Sequence, residues 1–260
     1  MLNTGKTLYK NHLGETFEFG DDTGVYIGES ELFNYKRSYE SSSATPYQTI
    51  SVKPKAMSVN VLFNGDVPKN RSKFFEVVDV DAEAGIPGTL RFGEYYMNGV
   101  FVESSNSAWQ YGYGEMIRKM TFLSDNPIWQ RDIVKVFDAD DTRAAIINES
   151  YRPSPMTIEV FGSSQTTTAS VTIGGNVYEV NKAVPEGSVL VIDGIAKTAT
   201  LIDSSGNETN VLDYRVGSQV KGSGEYLFEE LPSGYNQITS RTHGRLRITV
   251  HEQRLEVKFK

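Results

Sequence analysis

Apolar residues at every second position constrain this chain more than any other feature of it. In Met57-Ser-Val-Asn-Val-Leu-Phe63, in Met156-Thr-Ile-Glu-Val160 and in Leu246-Arg-Ile-Thr-Val250 the apolar side chains alternate with polar ones. Successive side chains of a strand point to opposite faces, so this period of two predicts strands with one buried face. Leu255-Glu-Val-Lys-Phe259 repeats the pattern, and His251-Glu-Gln253 is the expected turn between the last two strands. Further along, Gly174-Gly175-Asn176 separates two apolar runs, and Asp193-Gly194 closes Val189-Leu-Val-Ile192. Gly-Asn and Asp-Gly accept the positive φ angles that tight hairpins require. With turns also expected at Ser204–Asn207 and Pro232–Gly234, residues 151–260 read as an antiparallel β-sandwich of short strands.

The first part of the chain departs from that pattern once. Residues 68–84 predict a helix, since Pro68 suits a first turn and Gly85 suits the position just past the end. Phe74, Phe75, Val77, Val78 and Ala82 form its expected apolar stripe. Strands are expected near 57–63, 88–92, 96–103 and 116–123, with turns at Pro87-Gly88 and Asn98-Gly99. The serine-rich stretch Tyr39–Tyr47 predicts a flexible loop or a projecting arm, placed at about 38–50. Two prolines in Asn148–Pro155 stiffen a polar connection, so the domains are expected to be 1–150 and 151–260. The fold class is mainly β.

Composition narrows the chemistry. At 260 residues with 38% hydrophobic and 23% charged residues, the chain is apolar enough to fold. It has no cysteine, which removes disulfides, thiolate metal sites and cysteine nucleophiles. The residues before Asn11 lack the apolar core of a signal peptide, and no apolar run reaches the roughly 18 residues of a membrane helix. Lys and Arg against Asp and Glu count 16 to 21 over residues 1–152 and 10 to 12 over 153–260. Neither part is basic enough to grip a phosphate backbone.

No catalytic, cofactor-binding or metal site is expected. His12, His243 and His251 do not sit at metal-ligand spacing. Asp138–Asp141 lacks the turning glycine and closing glutamate of a calcium loop and fits a solvated acidic turn. Gly112-Tyr-Gly114 and Gly222-Ser-Gly224 lack the Gly-Lys-Ser/Thr of a phosphate cradle. A pair of carboxylates across a cleft, as glycosidases use, is neither indicated nor removed. The aromatic cluster Trp109, Tyr111 and Tyr113 fits three roles: sugar stacking, a packed sheet edge or a subunit contact.

Residues 90–129 carry a resemblance. Leu90–Ser105 with its Asn98-Gly99, then Trp109, then Met120-Thr-Phe-Leu-Ser-Asp-Asn-Pro-Ile-Trp129, resembles the first domain of distal tail proteins of long-tailed bacteriophages. Phe17-Glu-Phe-Gly20, Tyr26-Ile-Gly28, Met156–Gly162, Gly187–Asp193 and Leu231–Asn236 extend the resemblance over nearly the whole chain. It implies a β-barrel-like first domain with one helix and an arm, then a galectin-like β-sandwich. It also implies a structural role rather than an enzymatic one. The chain would be a homohexameric ring at the virion tail tip, assembled in the host cytoplasm. Its partners would be the tail tube protein, the tail-associated hub protein and a receptor-binding protein, with DNA passing through without tight binding. Subunit-interface residues are then expected in the arm, at Tyr39, Ser42, Pro46 and Tyr47, and among Trp109, Tyr111 and Tyr113. Galectins contact sugar through histidines and arginines, and no matching cluster stands out in 156–259, which argues against the alternative function of a glycan-binding adhesion module.

Overall fold

In the computed structural model the structure describes residues 6–34, 38–40, 49–51, 53–106, 114–138, 144–164, 166–242 and 244–254, with backbone alone at 38–40, 49–51, 103 and 106. The chain is mainly antiparallel β and divides into two compact units, Met1–Gln130 with Arg254–Lys260, and Arg131–Gln253. The division falls ahead of the expected 150, because the strand beginning at Trp129 runs into the second unit. Asn148–Pro155 therefore lies inside that unit. There Asn148 donates to the carbonyls of Arg152 and Leu231, and Ser154 and Leu231 form a bridge.

The first unit holds β1 (Thr7–Lys10), β2 (Thr16–Phe19), β3 (Val25–Ser30), β4 (Ser38–Glu40), β5 (Thr49–Ser51), β6 (Lys55–Asn64), α1 (Val67–Ala84), β7 (Gly88–Phe92), β8 (Tyr95–Asn106) and β9 (Glu115–Ser124). The first half of β8 pairs with β7, which continues to β1 and β2. The second half pairs with β9, which continues to β6 and β3. A register shift between Phe101 and Glu103 lets one strand serve both sheets. Among the described residues β2 and β3 are joined through the Gly20–Val25 bridge beside their turn, so the strands do not close the expected barrel. β4 and β5 form a separate hairpin within the expected arm.

Helix α1 begins where Asp66 accepts from the Lys69 amide and ends at Gly85, whose φ of 66° is left-handed. Its core contact is Phe74, whose ring meets Phe17, Phe63, Phe75 and Phe101 edge-on at 5.2–5.9 Å. The buried stripe is Val67, Phe74, Val78 and Asp81; Phe75 and Val77 are half-buried and Ala82 faces solvent. The expected turn at Asn98-Gly99 instead lies within β8, opposite Thr89 and Gly88. The chain turns at Gly93, with φ of 60°. Gly99 is needed for space, since a Cβ there would meet the Phe122 ring at 2.6 Å and the Leu123 carbonyl at 2.5 Å.

The second unit takes most of β10 (Trp129–Phe137) and then β11 (Ala145–Asn148), β12 (Met156–Phe161), β13 (Ala169–Ile173), β14 (Asn176–Val180), β15 (Val189–Asp193), β16 (Thr198–Ile202), β17 (Glu208–Asn210), β18 (Gly234–Ser240) and β19 (Leu246–Arg254). One sheet runs β17-β16-β15-β12-β19-β10 and the other β11-β18-β13-β14. Ile158, Ile192 and Ile248 from the first sheet share a core with Ile146, Ile173 and Ile238 from the second, which makes a β-sandwich. The expected turn at His251–Gln253 is instead part of β19, and Leu255–Phe259 lies outside the described residues.

Candidate interaction surfaces

The residues singled out in the sequence fall largely where side chains are not described. Trp109, Tyr111 and Tyr113 lie in 107–113, and Ser42, Pro46 and Tyr47 in 41–48, all outside the described residues. Tyr39 is central in β4, its backbone paired with Ile50. His243 and residues 139–141 are also outside, while Asp138 reaches Arg245 at 3.7 Å on the surface. Among the described residues no three His, Cys, Asp or Glu side chains converge to hold a metal ion, and no helix is long and apolar enough to cross a membrane.

His12 belongs to a buried polar junction in the first unit. Its backbone N–H donates to Asp81 Oδ1 at 2.8 Å, and its Nδ1 lies 2.6 Å from the same oxygen. The Tyr9 hydroxyl donates to Asp81 Oδ2, and Asp81 itself is fully buried. Burial, reinforced by the Asp81 carboxylate, raises the Tyr9 phenol pKa far above its ordinary value. Gly88 leaves the room, because a Cβ there would collide with Asp81 Oδ2 and the Tyr9 ring. The carboxylate thus ties β1 and the loop after it to α1. A junction satisfied on both oxygens is a structural clamp.

The outer side of α1 is less satisfied. Arg71, Phe75, Asp79 and Glu83 recur at helical spacing along a cleft of about 780 Å³, whose opposite wall is Ser104 of β8 and Arg118 of β9. Arg118 lies over the Phe75 ring at 5.0 Å and Arg71 at 5.9 Å. Among the described residues, Nε of Arg118 is buried without a hydrogen-bond partner. Burial and the neighbouring Arg71 lower the Arg118 pKa, while burial and the neighbouring Glu83 raise that of Asp79. Sequence pattern had assigned Phe75 to the core; it cannot show that two guanidinium groups converge on one ring.

In the second unit, polar residues distant in sequence share the outward face of one sheet. Arg247 on β19 pairs with Glu159 directly opposite on β12, and its guanidinium lies 5.7 Å from the Phe161 ring centre. On the same face His251 Nδ1 is 2.8 Å from Asp132 of β10, and Nε2 is 2.9 Å from the Thr157 hydroxyl. Arg247 and His251 stand four residues apart on β19, each held by its own carboxylate. Those carboxylates lie far off in sequence, and only strand register brings them in. A carboxylate, an imidazole and a hydroxyl in this order activate nucleophiles in hydrolases. Here, however, Thr157 is fixed mid-strand between Asp193 and Thr249.

No family model matches the sequence, and no curated protein matches it. Solved structures do. The chain is similar to SPP1 Dit (gp 19.1), described as a paradigm of the hub adsorption apparatus in phages infecting Gram-positive bacteria, with a TM-score of 0.65 at 10% identity over 95% of this chain and 98% of that one. It is also similar to a chain of the phage P2 baseplate in its activated conformation with Ca, with a TM-score of 0.61 at 9% identity over 97% and 99%. The form of that baseplate with Sr gives 0.61 at 10% identity over 97% and 100%. Coverage near the full length of each chain shows a shared fold across both units, the fold the sequence resemblance implied.

Proposed function

We propose that this chain is a structural component of a phage tail tip or baseplate, acting as a scaffold without an active site. The observation that carries it is the fold itself. The chain matches SPP1 Dit over 95% of its length with a TM-score of 0.65, and the buried Asp81 junction accepts on both carboxylate oxygens. On this reading the first units assemble side by side into a hexameric ring that continues the tail tube and seats the tail-associated hub protein. The second units offer docking surfaces for receptor-binding proteins. Tyr39, Ser42, Pro46 and Tyr47 of the arm, with Trp109, Tyr111 and Tyr113, are the proposed subunit contacts. DNA passes through the ring without tight binding, in keeping with a first unit whose acids outnumber its bases. The chain would be assembled in the host cytoplasm and reside at the virion tail tip. Gold-labelled antibody against this chain, applied to particles made by the host that carries the gene, should decorate the tail tip. Decoration of the head, or of no particle, overturns the proposal.

One observation favours a second reading, glycan binding by the second unit. Arg247, Glu159, His251 and Thr157 form a rigid polar face beside the half-buried Phe161, and saccharides are held by fixed polar groups next to an apolar surface. Binding of the full chain to a cell-wall glycan array, lost in Arg247→Ala, supports that reading. An array without signal removes it.

A further inference from the structure

Helix α1 carries its charges in an order opposed to its own dipole. Lys69, Arg71 and Lys73 fall in its first half, and Glu76, Asp79, Asp81 and Glu83 in its second. No acid lies in the first turn and no base in the last. The N-terminus of a helix is partly positive and its C-terminus partly negative, so acids at the start and bases at the end stabilise it. Apart from its N-cap Asp66, α1 has the reverse. Neighbours four residues apart repeat the conflict, since Lys69 and Lys73 share a sign, as do Asp79 and Glu83. Arg118 eases the charge of Asp79, and Arg71 lies on the Phe75 ring. Lys69, Lys73 and Glu83 are exposed and, among the described residues, belong to no ion pair.

The same order is favourable against a second helix that runs the other way. It is symmetric about Glu76, with Lys69 and Glu83 seven residues to either side and Lys73 and Asp79 three. Together with Ser72, whose hydroxyl donates to Glu76, these residues form one exposed stripe along α1. We propose that this stripe docks against α1 of a second copy of the chain, antiparallel across a two-fold axis beside Glu76. Lys69 then meets Glu83 of the second copy and Lys73 meets its Asp79, and each pair occurs twice. Each lysine also faces the negative end of the other helix's dipole, so charges that oppose α1 alone support the pair. A helix of 18 residues is about 27 Å long, and one such pair covers less than the roughly 1,200 Å² of a stable interface. The contact is therefore weak in isolation and joins copies already held near one another. Being two-fold, it differs from the head-to-tail contacts that close the proposed ring, and it stands whether or not that ring forms.

Cysteine cross-linking of the full chain tests it, since the chain has no thiol of its own. Glu76→Cys places one thiol beside the axis and removes the only like-charge approach in the arrangement, that of Glu76 to its copy. Ser205→Cys, in an exposed turn of the second unit, reports random collision. Under mild oxidation, disulfide-linked dimers should form at least about tenfold faster at position 76 than at 205, because pairing raises the effective thiol concentration. Adding Lys69→Glu and Lys73→Glu to Glu76→Cys sets acid against acid across the axis and should remove that excess. Mixing this variant with Glu76→Cys/Glu83→Lys should return it, as heterodimers told apart by mass. The comparison of positions 76 and 205 decides the matter even if a charge variant fails to fold, which its melting temperature reports. Equal rates at the two positions, or an excess indifferent to Lys69→Glu/Lys73→Glu, overturn the proposal, and the stripe then faces solvent or another protein. Neither result bears on the proposed ring.

Discussion

Tyr9 and Asp81, seventy-two positions apart, share a hydrogen bond where neither side chain meets solvent. Asp81 takes two further bonds from His12, so the helix is fixed to β1 and its following loop by one carboxylate. Tyr9→Phe removes one donor from a buried charge and should lower unfolding free energy by about 1–3 kcal/mol. Gly88→Ala, which forces a methyl group into the same space, should cost more. Urea denaturation of the two variants measures both, and equal stability would show that the junction is looser than the structure has it.

Phe74 is the side chain through which α1 enters the first core. Phe74→Ala should destabilise the first unit by about 3–5 kcal/mol, the cost of emptying a closely packed aromatic site. Phe75→Ala, one residue on and facing the cleft, should cost clearly less. A thermal melt of each variant decides the order.

The contrast between these neighbours shows what sequence pattern conveys. Helical periodicity located α1 within one residue of its first position, and Gly85 ended it as expected, because capping and period are local properties. The same periodicity ranked Ala82 as buried and missed Asp81, since a buried carboxylate is recognisable only once Tyr9 and His12 are brought to it. Asn98-Gly99 misled for a similar reason: the pair is a strong turn signal, yet Gly99 serves the packing of the Phe122 ring against β8. The polar face built from Arg247, Glu159, His251 and Asp132 was invisible for want of strand register.

Arg131 is the second unit's own buried ion. Its Nη2 lies 2.6 Å from Glu252, whose side chain is fully buried, and 2.9 Å from Glu149. Arg131→Ala should cost about 3 kcal/mol by leaving the Glu252 charge with fewer partners, whereas Arg131→Met with Glu252→Leu should recover much of it. Chemical denaturation of the single and double variants checks this, and a double variant no better than the single one would contradict it.

Asp79 gives a pH signature. Burial and Glu83 raise its pKa above the ordinary 3.8, so the folded chain holds this proton more tightly than the unfolded chain. Its contribution is therefore most favourable below that value and is lost as the pH rises through the raised pKa. Asp79→Asn should make the isolated chain slightly more stable at neutral pH and flatten its stability profile on the alkaline side of 3.8. Melting temperatures across pH 3 to 7 test the sign; a less stable variant at pH 7 would reverse it.

The central claim is that a chain with this fold is a ring-forming scaffold. Light scattering coupled to size exclusion, with negative-stain imaging of the same fractions, measures it most directly. The account predicts closed rings with a mass six times the 29.0 kDa of one chain. A particle that stays at 29.0 kDa up to the highest soluble concentration, with no rings on the grid, would contradict it.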